Sequence, residues 1–158
     1  MTNKIDIAKL NHDPRLVDLI KITDQKILAI WALDCAKKHL YLLEDKYSDE
    51  HRPRVALNIL KQWIDGDIKM WDARKFTYPA LACARELETN DKVACQIARA
   101  CSHALATCHV KTHSEGSAMY VISALYYLNK DGSDVEVILN TERDWQIEHL
   151  KELIKNMT

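Results

Sequence analysis

The sequence predicts an all-α protein: an irregular bundle of about seven helices, with stacked helical hairpins as the alternative arrangement. Three observations carry that expectation. Glycine and proline occur three times each in 158 residues, and β architectures need many more turn residues. Apolar residues recur at spacings of three and four through most of the chain, the period of one helical face. Apolar residues make up 47% and charged residues 28% of the composition, which suits a packed core and not a disordered chain. A chain of this length fits one domain over residues 1–158 and can bury a core without a disulfide or metal staple.

Residues 1–12 are polar with scattered Ile and Leu and are expected to be loosely held. Asp13 reads as an N-cap and Pro14 as the first helical position, opening a short helix to about residue 21. Thr23 or Asp24 caps a second helix to about residue 46. Between Ile27 and Ala36 apolar residues cover every side, so that stretch should be buried. Pro53 fits the first turn of a third helix, and Gly66 fits its left-handed end. Residues 68–88 continue as helix, kinked or split by Pro79 near Thr77 and Tyr78.

Thr89, Asn90 and Asp91 break the chain and cap a helix over about 91–113. In it Ala94, Ile97, Ala98, Cys101, Leu105 and Cys108 share a face. Their small side chains let neighbouring helices approach closely, so this helix is expected at the centre. His113, Ser114, Glu115 and Gly116 end or bend it, and Ser114 could cap the next helix, to about residue 128. Residues 129–133 are the strongest turn signal, and a last helix follows over about 134–155.

Composition also bounds function. Net charge is −1, without the Lys and Arg excess of a strongly basic DNA binder or the acidity of a charge mimic. The longest nearly apolar run, ten residues from Ile27 to Ala36, is too short to span a bilayer. The opening residues lack an apolar signal core. Five cysteines (Cys35, Cys83, Cys95, Cys101 and Cys108) lie in apolar helical stretches without a CxxC. They read as reduced core thiols of a cytoplasmic protein. Neither a nucleic-acid nor a membrane partner is expected, and self-association is left open.

Candidate chemistry is sparse. His109 and His113 form an HxxxH that could share a metal from one helix face. Val110 stands where a zinc protease needs Glu, and no third ligand is dictated, so no metal or other cofactor is expected. The two rings are read instead as polar-core groups bonding to a carbonyl or carboxylate at a helix end. Cys108 with His109 and His113 defines the alternative, a metal- or thiol-dependent enzyme. Asp34, among nine apolar residues, needs a partner if buried. The reading preferred is an internal pair with Arg54 or Arg74, against a solvent stripe shared with Lys26, Lys37 and Lys38. Arg52 and Arg54 could hold a phosphate, but cations at a helix start more often pair with carboxylates such as Asp34, Asp49 or Glu50. Trp71 and Tyr78, beside the Pro79 break, are the best candidates for an exposed contact surface, with Arg52 and Arg54 as further binding candidates. No P-loop, dinucleotide glycine pattern, serine elbow or paired-carboxylate motif occurs, so no catalytic residue is assigned.

Four short motifs occur in order: Trp31-Ala32-Leu33-Asp34-Cys35-Ala36, Arg52-Pro53-Arg54, Trp63-Ile64-Asp65-Gly66, and Ala106-Thr107-Cys108-His109-Val110-Lys111-Thr112-His113. With them the chain resembles the bacterial "putative immunity protein" family five of polymorphic toxin systems, over about residues 24–128. The sequence departs from that pattern by being less Ala-rich, and its tail after Gly132 lies outside the resemblance. The resemblance implies an all-helical, non-enzymatic inhibitor. It would bind a cognate protein toxin in the cytoplasm, one to one, and block it.

Overall fold

The computed structural model describes residues 11–158, so the expectation for residues 1–12 falls almost wholly outside it. Among the described residues the chain is helical throughout, without strands. Helix α1 (Pro14–Ile22) starts where Asp13 accepts a hydrogen bond from the Arg15 amide, with Pro14 in the first turn. Helix α2 (Gln25–Lys38) is capped by Asp24 in the same way. Its all-round apolar character has a clear cause, because it separates two cores. Ala29, Ala32, Leu33 and Ala36 face the main one. Ile27, Leu28, Trp31 and Cys35 face a smaller one with Leu16, Ile20, Ala118, Ile147 and Leu150.

The second predicted helix does not run unbroken to residue 46. It stops at His39, and a single turn, α3 (Tyr41–Glu44), follows. The break turns Leu40 and Leu43 into the main core, while the buried His39 ring bonds Glu142 at 2.7 Å. Helix α4 (Arg52–Ile64) holds Pro53 in its first turn, and Gly66 takes the left-handed conformation, φ +81°, just past its end. The next segment is divided twice, into α5 (Met70–Ala73), a 3-10 turn over Arg74–Phe76, and α6 (Thr77–Leu87). Pro79 lies in the first turn of α6, where its missing N–H leaves no helical bond unmade.

Helix α7 (Lys92–Ala106) is central, as its small residues predict. Asp91 caps it through the Ala94 amide at 3.0 Å, and it packs against α2, α3, α4, α6 and the following helix α8 (His113–Asn129). It is shorter than the sequence implies. The chain leaves the helix at Thr107 and turns through residues 107–112. Ser114 does not cap α8, because its hydroxyl donates to the Lys111 carbonyl at 2.7 Å. Helix α9 (Val135–Met157) closes the smaller core. Buried polar bonds tie it to α2 and α8: Trp31 Nε1 donates to the Gln146 carbonyl at 2.8 Å and Gln146 Nε2 to the Ala118 carbonyl at 3.1 Å, while Ser117 Oγ on α8 donates to the Ala32 carbonyl of α2 at 3.2 Å.

Gly116 explains how closely α7 and α8 approach. A Cβ built there would lie 2.5 Å from Nδ1 of His103 on α7. The His103 ring is itself held edge-on to His113 at 5.3 Å and against Tyr120 at 5.0 Å between centroids. A mid-helix glycine costs about 1 kcal/mol relative to alanine; here that cost makes room for a buried imidazole.

Candidate functional site

Residues 70–79 hold three of the exposed large apolar side chains of the described surface. The single turn of α5 buries only Ala73, which leaves Trp71 64% exposed. The start of α6 leaves Tyr78 60% exposed, with Phe76 between them at 37%. The breaks in this segment are what present these rings, since each helical piece is too short to turn every apolar residue inward. Scattered single apolar residues on a surface mean little, but three exposed large rings within eight positions of one segment are candidates for contact with a partner.

Trp71 is held from two sides. The Arg74 guanidinium lies 5.3 Å from its ring centroid, and the His109 ring stands 6.5 Å away. His109 lies in the turn after α7, next to the exposed Val110. The other flank of the segment faces the start of α4. There Phe76 and Pro79 wall a cleft of about 380 Å³ with Asp49, Glu50, His51, Arg52 and Val55. Arg52 bridges Glu50 and Glu86. Its hydrogen bonds hold the Glu50 carboxyl down at about 2 against the opposing effect of burial.

The pairing proposed for Asp34 is overturned. Asp34 is half-buried and bonds His149 Nε2 on α9 at 2.8 Å. Neither arginine reaches it. Arg54 makes two bonds to Glu44, at 2.7 and 2.6 Å, and Arg74 stands over Trp71. Arg52 and Arg54 are each neutralised by carboxylates, which answers the phosphate alternative. Arg74 and His109 therefore do not belong to a polar core. His113 is only half-buried, beside His103.

The metal and thiol reading also loses its geometry. His109 lies in a turn and His113 opens α8, so they share no helix face. Among the described residues no group of three or more His, Cys, Asp or Glu side chains is placed to hold a metal. Cys108 is 3% exposed, and burial pushes its thiol up to about 11, which disfavours the nucleophilic thiolate. His113 instead lines a cleft of about 440 Å³ with His12, His103 and Glu115. Burial, with the His113 and Arg99 charges, lowers His103 to about 4 and keeps that ring neutral near pH 7.

Two features had no local signal in the sequence. The first is a chain of contacts between α2 and α9. Glu142 accepts from Lys38 at 3.0 Å and bonds His39; Lys38 caps the Trp145 ring at 3.7 Å; Trp145 stacks on His149, and His149 bonds Asp34. The second is Arg143, fully buried, its charge disfavoured by burial and favoured by Asp13 and Glu115. Each depends on residues far apart in sequence. A further cleft of about 430 Å³ between α2 and α4 is lined by Ile30, Leu33, Leu57 and Ile64 together with charged side chains that include Asp34, Lys37 and Arg54.

No described helix is long and apolar enough to cross a membrane. A family model described as "Imm-5 like putative immunity protein" matches residues 18–153. The match runs well beyond the 24–128 marked by the motifs, and it includes most of the tail that they left out. No curated protein and no solved structure matches the chain.

Proposed function

Because the chain belongs to the Imm-5 like putative immunity protein family, we propose that it neutralises a cognate bacterial toxin by one-to-one contact in the cytoplasm, through the surface of residues 70–79. The observation that carries this reading is the exposure of Trp71, Phe76 and Tyr78 on one short, broken segment of an otherwise well-packed helical protein. Large aromatic side chains with few rotatable bonds are the residues that dominate protein interfaces. The Arg52 bridge and the Val55–Phe76–Pro79 cleft lie beside this segment and offer a socket for a partner side chain. A stable complex needs about 1,200–2,000 Å² of total buried surface, so the contact must extend beyond these rings.

The test is co-expression with the product of the neighbouring gene, assayed first for growth arrest on its own. The wild-type protein should restore growth and co-elute with the toxin at equal stoichiometry. Trp71→Ala with Tyr78→Ala should abolish both effects while leaving the fold intact. Growth arrest that the wild-type chain does not relieve, together with no complex, would reject the reading. An oligomer of this chain alone, with no toxin complex, would favour a self-associating module instead.

A further inference from the structure

The net charge of −1 hides a local asymmetry around the aromatic segment. Across residues 67–80, Lys69, Arg74 and Lys75 stand against Asp67 and Asp72, which leaves +1. The turn that meets this segment through the Trp71–His109 contact, residues 107–114, adds Lys111 and no acid. Two segments that touch at Trp71 therefore carry +2 between them. Little of it is neutralised within the protein. Lys75 reaches Asp72 at 3.7 Å. Among the described residues, Lys69 and Arg74 have no carboxylate within ion-pair distance, and Lys111 donates to the Lys21 and Thr23 carbonyls at 3.2 Å. The opposite flank, residues 44–54, has four carboxylates against Lys46, Arg52 and Arg54, a net −1. Charge of one sign beside an apolar anchor selects a partner surface of the other sign and repels its own.

From this, and resting on the proposed function, we infer that the Trp71 flank docks on a carboxylate-lined cleft of the toxin. The Trp71 indole fills an apolar socket there, and Lys69 and Arg74 lie over acidic side chains. A carboxylate-lined cleft is the kind of site that uses paired carboxylates for acid–base work or holds a divalent metal through them. A basic groove built to hold nucleic-acid phosphates would be repelled by this flank and does not fit it. Arg74 is suited to its role. It lies over the indole and keeps guanidinium donors free for bidentate contact with a carboxylate.

The experiment takes the neighbouring-gene product whose toxicity this chain relieves and measures its binding to the full chain at about 0.05 and 0.3 M salt, a range over which screening of exposed charges changes strongly. Lys69→Glu with Arg74→Glu should weaken binding at least tenfold at low salt, chiefly through slower association, and much less at high salt. Lys155→Glu, an exposed change of the same sign on α9, should alter affinity less than twofold. Both variants should keep the wild-type melting temperature. A complex that forms but is unaffected or strengthened by the double reversal overturns the inference and leaves the proposed function standing. Equal weakening by Lys155→Glu also overturns it, since the effect would then be one of net charge. Absence of any complex with the wild-type chain removes both.

Discussion

Gly116→Ala sets helix propensity against packing, and the structure decides the sign. In an ordinary helix interior this change adds about 1 kcal/mol of stability. Here the new methyl group would lie 2.5 Å from His103 Nδ1, far inside van der Waals contact. The imidazole cannot simply rotate away, because His113 and Tyr120 pack against it. Overpacking of this kind costs about 1–3 kcal/mol. The net effect is a loss of up to about 2 kcal/mol, and a fall in Tm at about 2–4 °C per kcal/mol for a chain of this size. Thermal unfolding of four proteins measures it: wild type, Gly116→Ala, His103→Ala and the double variant. In the His103→Ala background the clash is gone, and Gly116→Ala should raise Tm by the propensity gain. Equal stabilisation by Gly116→Ala in both backgrounds would show that the two side chains are uncoupled and would refute this account of the α7–α8 contact.

Glu142→Ala should cost about 2–4 kcal/mol in urea unfolding, because it strands the buried His39 ring and releases Lys38; a loss below about 0.5 kcal/mol would contradict the network. Acid should destabilise the fold through His103, whose folded pKa of about 4 lies below its ordinary 6.5. The unfolded chain binds the extra proton, so this contribution is complete above pH 6.5 and fades as pH falls toward 4; the urea midpoint should fall over that window, and His103→Leu should flatten the fall. All five cysteines are free and buried, so a thiol reagent should leave the native protein unlabelled and modify every cysteine in guanidinium; fast native labelling of Cys108 would reopen the thiol reading.

The fold was legible wherever one local rule decided it. The two-sided apolar run of α2, the Pro53 and Gly66 bounds of α4, and the small-residue face of α7 were all readable from spacing and capping chemistry. The misses share a cause. The break at His39 accompanies a bond to Glu142, and Asp34 is satisfied by His149; both partners lie more than 100 residues ahead on α9. Helix periodicity continues through Leu105 and Cys108, so nothing local announces that the chain turns at Thr107. That turn carries His109 off the helix and against Trp71. The exposure of Trp71 and Tyr78 could be anticipated because Pro79 requires a helix start close before it, whereas the positive charge of that flank emerges only when residues 67–80 and 107–114 meet.

The most direct measurement is the affinity of the Trp71→Ala, Tyr78→Ala variant for a neighbouring-gene product whose toxicity the wild-type chain relieves, against wild type, with melting temperature as the control. Both rings are largely exposed, so Tm should shift by no more than a degree or two, while binding should fall by at least about a hundredfold for two interface anchors. Undiminished binding by the well-folded variant would contradict the docking surface described here.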